Sequence, residues 1–361
     1  MIISQKIFIK GTVQGVGFRP FIHRMAKDMG IKGWVRNTGN GVEITVQADD
    51  DMIEIFREKI LSDMPPAAQV DEIHQENAGK TDFSFFEIME SNGIAMPDLN
   101  MPPDICLCSE CSEEILDTGN RRYLYPFTSC INCGPRFTIL DNLPYDRRNV
   151  TMRSYIMCPE CGREYSGITD RRYHAQPICC PECGPQYKYG NLIREQAVDA
   201  AVKHISDGGV IAVKGWGGFH LMGDAENIDV IKKVRMDKKR RNKPIAVVAR
   251  NLSIIEKYCN VSGDDKEQLL SFRSPIMLLT KKIHTDITES LAPENTCLGI
   301  MLPYSGIQQV IFEKSGLDLM VATSLNRPSA PTIRNSEIAL KSYGGKILDH
   351  DLISVLHVTI L

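Results

Sequence analysis

At 361 residues the chain exceeds the roughly 100 to 200 residues of one compact domain, so two or three domains are expected. Apolar residues make up 43% and charged residues 24%, as in ordinary globular proteins, and no run approaches the roughly 18 apolar residues of a membrane span. A net charge of −3 excludes a global pull toward polyanions and leaves Lys238-Lys239-Arg240-Arg241 as the basic run on which nucleic acid would have to sit. The segment Met1 to Lys6 has no basic flank, apolar core and cleavage site, so a cytoplasmic protein is expected.

In chain order, Ile7 and Ile9 alternate as in a strand, and a glycine-rich turn follows at Gly11 to Gly17. Arg19 to Gly30 reads as a helix with proline in its first turn and glycine at its C-terminal cap. Gly33 to Val46 reads as a hairpin around Asn40-Gly41, residues 51 to 61 as an amphipathic helix, and two strand-like runs follow. The order β-α-β-β-α-β predicts a ferredoxin-like α+β domain over residues 1–91. Ser91 to Pro103 is a linker without periodicity.

Residues 104–188 are dense in cysteine and poor in apolar side chains, too poor for an ordinary core. Residues 192–361 alternate helices, as at Glu195 to Gly208, with strands at Val210 to Val213, Ile245 to Val248 and Ile276 to Leu279, which predicts an α/β domain.

Twelve cysteines in a reducing compartment point to metal rather than disulfides. Cys108-x2-Cys111, 18 residues, Cys130-x2-Cys133 make one four-thiolate set, and Cys158-x2-Cys161, 18 residues, Cys180-x2-Cys183 make another. A constant offset of 50 residues also maps Gly134-Pro135 onto Gly184-Pro185 and Arg121-Arg122-Tyr123 onto Arg171-Arg172-Tyr173, which marks a tandem duplication. Each two-residue gap lets two sulfurs reach one ion, and two such knuckles complete the tetrahedral shell of a structural Zn²⁺. Iron–sulfur clusters and plain buried or redox-active thiols are the alternatives. Cys106, Cys179, Cys259 and Cys297 lie outside the repeat and read as ordinary thiols.

Gly11-Thr-Val-Gln-Gly-Val-Gly-Phe-Arg19 joins the first strand to the first helix, where backbone amides and a helix N-terminus together cradle an anion. Arg19 at its mouth offers a permanently charged fork of donors for phosphate oxygens. Asn37 is an uncharged amide able to orient water without taking a proton. On this predicted fold the loop Gln14, Gly15, Val16, Gly17 and Phe18, with Arg19 and Asn37, resembles the acylphosphatase family. The resemblance implies that Arg19 binds phosphate and Asn37 positions the attacking water.

Lys214-Gly-Trp-Gly-Gly218 follows a strand with glycines that permit close backbone approach. Lys238, Arg240 and Lys243 close a helix ahead of a strand, and a cluster of that kind is also found on solvated faces. Together with Leu298 to Tyr304 and Thr323 to Asn326, these segments resemble YrdC-like domains, which bind ATP and make acyl-adenylates. The resemblance implies that Lys214 lines the substrate pocket, that Lys238, Arg240 and Lys243 hold the triphosphate, and that Ser324 and Asn326 contact the nucleotide. Asp237, Leu325 and Pro328 depart from the family's pattern. His174 and His220 read as packed or hydrogen-bonded histidines.

Acylphosphatase, two four-cysteine zinc sites and a YrdC-like module in that order resemble HypF-type hydrogenase maturation carbamoyltransferases over nearly the whole chain. The resemblance implies hydrolysis of carbamoyl phosphate to carbamate, activation of carbamate with ATP and Mg²⁺, and a HypE-type acceptor protein as partner. Leu352 to Leu361 lacks the arginine and Asp-Asp-Ser expected next, so a truncation, a cloning boundary or a frameshift ahead of the transfer domain is the expectation. An RNA-binding or tRNA-modification protein built from the same YrdC and zinc-ribbon parts is the reading from another class.

Overall fold

The structure is a computed structural model that describes residues 2–79, 82–91, 103–240, 242–326, 330–344 and 346–350. Most of the linker, Arg241, Pro328 and Leu352 to Leu361 fall outside the described residues. Two compact units are formed, one by Met1–Ile105 and Ser129–Cys179, the other by Cys106–Thr128 and Cys180–Val355. No helix among the described residues is long and apolar enough to cross a membrane.

The first unit is built on β1 (Ile2–Thr12), α1 (Phe18–Asp28), β2 (Lys32–Thr38), β3 (Gly41–Asp49), α2 (Asp50–Ser62), β4 (Gln69–Asn77) and β5 (Phe86–Ile88). The strands form one sheet in the order β4-β1-β3-β2-β5. Strands β4, β1, β3 and β2 are antiparallel neighbours, and β5 joins β2 in parallel. This is the predicted ferredoxin-like arrangement, with a short fifth strand at its edge. Alternation along β1 sends Ile7 and Ile9 into a core shared with Phe18 and Ile22 of α1 and Ile53, Phe56 and Ile60 of α2. The hairpin turn lies one residue earlier than expected: Thr38 pairs with Gly41, so Gly39 and Asn40 make the turn and Gly41 starts the strand.

The cysteine-rich segment carries two helices, α3 (Ser109–Leu116) and α4 (Pro159–Ser166), offset by the same 50 residues as the cysteines. Each starts directly after a cysteine, Cys108 and Cys158, in extended conformation.

The second unit has β6 (Lys188–Tyr189), β7 (Leu192–Ile193), α5 (Arg194–Ser206), β8 (Ile211–Gly215), β9 (Gly218–Asp224), α6 (Ile228–Asp237), β10 (Val247–Ala249), α7 (Leu252–Tyr258) and α8 (Gly263–Leu269). It continues with β11 (Met277–Thr280), α9 (Asp286–Leu291), β12 (Cys297–Met301), α10 (Gly306–Ser315), β13 (Leu319–Ser324), α11 (Ser336–Tyr343) and β14 (Ile347–Asp349). The nine strands run in the order β11-β12-β10-β13-β9-β8-β14-β6-β7. Parallel pairs, β10 with β12 and β8 with β14, sit among antiparallel ones, so the sheet is mixed. The strand expected at Ile245 begins only at Val247, because the Ile245 amide donates to Leu291 O at 2.9 Å instead of to the sheet. Val210, Ile231, Ile245, Ile300 and Val321 form the centre of its core.

Candidate active sites and metal centres

Five residues reverse the chain between β1 and α1. Gly15 and Gly17 take φ values of 74° and 80°, a left-handed conformation that glycine adopts without steric cost. A Cβ on Gly17 would stand 3.1 Å from Ile131 Cγ1, so glycine also lets the Cys130–Cys133 knuckle approach the loop. The first-turn amides of α1 have no intrahelical partner and carry the positive end of the helix dipole. Gln14 braces this turn: its Nε2 donates to Thr38 O and Gly41 O at 2.8 Å each, and its Oε1 accepts from the Tyr145 amide at 3.0 Å. Val16 and Phe18 turn their side chains into the core and leave only backbone to the loop.

Arg19 and Asn37 line one cavity of 30 Å³, room for about two waters. Gly15, Gly17, Arg136 and His174 line it with them. Both catalytic candidates are buried. Arg19 Nη2 pairs with Asp146 Oδ1 at 2.7 Å, and Arg19 Nη1 donates to Ser91 Oγ at 3.3 Å. Tyr145 O accepts from Asn37 Nδ2 at 3.3 Å. Asn37 Oδ1 is a buried acceptor without a hydrogen-bond partner, an arrangement that favours a donor from solvent or substrate. Two guanidinium donors are therefore held by protein oxygens, and the Asp146 carboxylate occupies a position on Arg19 of the kind a phosphate oxygen would take.

Burial, with the Arg19 cation adding to it, lowers the pKa of His174 to about 4, so this imidazole is neutral at physiological pH. Asp146, Tyr145, Arg136 and His174 belong to the cysteine-rich segment 104–188, and nothing in their sequence positions signals that they reach the phosphate loop.

The Sγ atoms of Cys108, Cys111, Cys130 and Cys133 all lie within 4.8 Å of one another, as do those of Cys158, Cys161, Cys180 and Cys183. Within the knuckles, Cys130 and Cys133 are separated by 3.8 Å, and Cys180 and Cys183 by 3.8 Å. A tetrahedron with Zn–S of about 2.3 Å has edges 1.63 times longer, about 3.8 Å, so both donor sets fit one zinc ion each. The Asn132 amide donates to Cys130 Sγ at 3.3 Å and the Cys161 amide to Cys158 Sγ at 3.5 Å, which turns those sulfurs inward. With four thiolates and no open position, a bound ion would supply cross-linking rather than chemistry.

In the second unit Lys238, Ser324 and Asn326 come together. Lys238 Nζ donates to Ser324 O at 2.6 Å, to Asn326 O at 3.0 Å and to Asn326 Oδ1, and Ser324 Oγ donates to Asn326 Oδ1 at 3.0 Å. Lys238, Asn326, Asp237 and Lys341 line an open cavity of 880 Å³, large enough for a nucleotide. Burial, then the charges of Arg240 and Lys243, lower the pKa of Lys238 to about 8. Arg240 and Lys243 lie in the loop before β10, near enough for their charges to act on Lys238 but not among the residues lining this cavity; Arg240 Nη1 donates to Pro244 O at 3.4 Å. Lys214 lies elsewhere, buried on β8, with Asp349 Oδ1 at 3.1 Å, His350 O at 2.7 Å and Ser336 Oγ at 3.1 Å. The glycines after it close the β8–β9 hairpin, Gly215 pairing with Gly218, and a Cβ on Gly218 would meet Ile333 O at 2.7 Å. The close approach there is that of the chain's own backbone.

Residues 5–88 match the acylphosphatase family, residues 107–140 and 157–189 the HypF finger family, and residues 203–360 the Sua5–YciO–YrdC family, described as telomere recombination. The carbamoyltransferase HypF of Synechocystis is 40% identical over 332 residues, which is 90% of this chain and 43% of that protein. The probable carbamoyltransferase HypF of Methanocaldococcus jannaschii is 38% identical over 96% of this chain and 46% of its own length. An acylphosphatase of Caldivirga maquilingensis is 42% identical over 89 residues, 93% of that protein. Among solved structures, full-length HypF in a phosphate- and nucleotide-bound form superposes with a TM-score of 0.91 at 36% identity, covering 98% of this chain and 47% of that one. The chain thus spans a little under half the length of the carbamoyltransferases it matches.

Metal analysis of purified chain is expected to find about two zinc ions, each supplying roughly 10 to 16 kcal/mol to folding, so that chelation unfolds the cysteine-rich segment; a folded sample with almost none would refute the assignment. Replacing Asp146 by Asn removes the carboxylate that competes for Arg19, and titration calorimetry should then show inorganic phosphate binding about three- to tenfold more tightly. Unchanged or weaker affinity would mean that the pair does not compete with the anion.

Proposed function

This chain belongs to the HypF family, and from that premise we propose that its acylphosphatase-like segment hydrolyses carbamoyl phosphate to carbamate and its YrdC-like segment condenses carbamate with ATP. The observation that carries the first half is the convergence of Arg19 and Asn37 on one buried cavity beside a glycine loop and a helix N-terminus. Residues 1–91, 104–188 and 192–361 are the proposed hydrolytic, metal-binding and nucleotide-binding segments.

Substrate phosphate takes over donors of Arg19 from Asp146 and is held by amides of Gly15 to Phe18. Asn37 Oδ1 accepts a hydrogen bond from the attacking water and so aims the water's lone pair at phosphorus. The guanidinium neutralises charge as the acyl oxygen departs. Catalysis is then positioning and electrostatic stabilisation, with no group on the protein bonded to the substrate. Carbamate decomposes in water, so a second segment that captures it in an adenylate is chemically coherent.

In that segment Lys238, with Arg240 and Lys243, holds the triphosphate of Mg²⁺-bound ATP, and Ser324 and Asn326 contact the nucleotide. Lys214, buried and paired with Asp349, lines the carbamate end. Asp237 brings a carboxylate to the same cavity as Lys238 and opposes the polyphosphate. The carbamoyl-adenylate is the form in which a HypE-type acceptor would receive the group, in the cytoplasm.

The chain incubated with carbamoyl phosphate and ATP should release phosphate and pyrophosphate, followed separately. Arg19→Ala should lower phosphate release by about a thousandfold or more with both metal ions retained. Retained hydrolysis would refute the role of Arg19, and phosphate without pyrophosphate would limit the chain to the first step. Because the Lys238 pKa is lowered to about 8, its charge is present at pH 7 and is lost as pH rises through that value. ATP affinity should therefore fall by up to about tenfold per pH unit above 8, and Lys238→Met should flatten that dependence. An unaltered profile in the variant would show that Lys238 does not meet the nucleotide.

A further inference from the structure

The duplication sets up an internal comparison. Leu124 and His174 occupy equivalent positions of the two repeats, with φ of 52° and 54°. Their amides make equivalent hydrogen bonds, Leu124 to Ile115 O at 2.8 Å and His174 to Tyr165 O at 2.9 Å. The left-handed backbone is therefore a property of the repeat, held by the same bond in both copies, and is no sign of a role for either side chain. What differs is the side chain and what it faces.

Each position opens onto a cavity assembled from the same parts. In the first repeat, Leu124 to Phe127 meet Pro181 and Gln186 around an aromatic-lined space of 260 Å³. In the second, His174 to Pro177 meet Ile131 and Arg136, the equivalents of Pro181 and Gln186, and this cavity is the one that holds Arg19 and Asn37. Between copies Leu becomes His, Tyr125 becomes Ala175, Pro126 becomes Gln176 and Phe127 becomes Pro177. Bulk is removed and polarity gained on the wall that faces the phosphate loop.

The replaced wall also fixes the histidine. Gln176 Nε2 donates to His174 O at 2.8 Å while its Oε1 accepts from the Tyr165 hydroxyl at 3.3 Å. Tyr165 and Tyr173 pack against the imidazole with centroid separations of 5.1 and 4.6 Å. Among the described residues neither ring nitrogen of His174 has a protein hydrogen-bond partner in this structure. His174, with a ring N–H to donate, thus lines the cavity where Arg19 and Asn37 would hold the phosphoryl end.

We propose that His174 is a further catalytic residue of the acyl-phosphate site, donating a hydrogen bond from its imidazole to the acyl oxygen that leaves phosphorus. This rests on the acylphosphatase reading of Arg19 and Asn37. In the step, water oxygen bonds to phosphorus as the bond from phosphorus to the acyl oxygen breaks. The bonding pair leaves on that oxygen, which departs as a carboxylate, carbamate in the case of carbamoyl phosphate. The water protons remain with the phosphate or pass to solvent. His174 shares its N–H with the departing oxygen and transfers no proton, as suits an imidazole that burial keeps neutral.

The test uses the full chain loaded with zinc, with carbamoyl phosphate and acetyl phosphate as substrates and inorganic phosphate as competitive inhibitor. His174→Leu installs the side chain that the sister repeat carries on the same backbone. It should lower kcat about a hundredfold on both substrates, while KM and the phosphate inhibition constant, which do not report on the leaving oxygen, change by less than about twofold. His174→Gln, which restores an N–H donor, should recover activity to within about tenfold of the original chain. His174→Leu with unaltered kcat, while Arg19→Ala is inactive, overturns the role of His174 and leaves the acylphosphatase reading standing. Parallel loss of phosphate binding overturns it as well, in favour of a structural role. Absence of hydrolysis by the unaltered chain overturns both readings together. Should His174→Leu fail to fold, His174→Gln compared with His174→Ala decides, equal rates being the overturning result.

Discussion

The phosphate loop depends on Arg136. Its guanidinium is buried, and its donors go to backbone carbonyls: Nε to Gly15, Nη1 to Cys133 at 2.9 Å and Pro135 at 3.0 Å, Nη2 to Ile131 at 2.8 Å and Cys130 at 3.4 Å. A cation so far from water is tolerable only when its donors are nearly all satisfied, since the desolvation penalty is several kcal/mol. Here the partners are carbonyl dipoles of a cysteine knuckle and of the loop itself, so the knuckle and the loop fix one another. The backbone of Arg136 is in turn held by Asp104, whose Oδ1 accepts from the amides of Arg136 and Thr138 at 2.7 and 3.0 Å. In the other repeat the equivalent residue is Gln186, which donates to Pro181 O at 2.6 Å and Gly184 O at 3.5 Å and braces only its own knuckle. Exchange of a short amide for a long guanidinium gives one copy of the duplicated motif a reach to Gly15.

A buried guanidinium such as that of Arg19 is costly without a counter-charge. Asp146 supplies that counter-charge, and Tyr145 O and Ser91 Oγ take further donors of the Arg19–Asn37 pair. The resting site is therefore stable and nearly filled. Under the proposed function, the interaction with Asp146 is given up when phosphate enters and so sets part of the apparent affinity. Asn37 keeps Oδ1 uncommitted, so the group assigned to water is the one the resting structure leaves open.

In the second unit three basic residues, Arg235, Lys238 and Lys214, are committed to backbone in the same way. Arg235 donates to Ser290 O at 2.7 Å and Leu291 O at 3.0 Å. Lys238 gathers Ser324 and Asn326 around its ammonium, and Lys214 is locked to Asp349 and His350. Of the charge cluster that the sequence offered as a solvated face or a triphosphate site, Lys238 is buried, Arg235 and Arg240 are half-buried and Lys243 is exposed. Lys238 is the member whose ionisation lies close to physiological pH, because burial and two neighbouring cations act on it in the same direction.

Periodicity and spacing carried what is local or repeated. Alternation along β1, the proline and glycine at the ends of α1, the 50-residue offset of the cysteines and the glycine loop each follow from a few neighbouring side chains. Those features were legible to within a residue or two, and with them the grouping of the eight cysteines into two sets and the placing of Arg19 and Asn37 beside the glycine loop. The partners of that pair were not. Asp146 lies 127 residues from Arg19 and Tyr145 lies 108 from Asn37, and no periodicity reports on contacts made by irregular chain folded around knuckles. The roles of Arg136 and His174 escaped for the same reason, since spacing places a residue in a repeat but cannot say which copy of the repeat will face a ligand. That choice belongs to tertiary structure: equal backbones at Leu124 and His174 acquire unequal chemistry only through what packs opposite them.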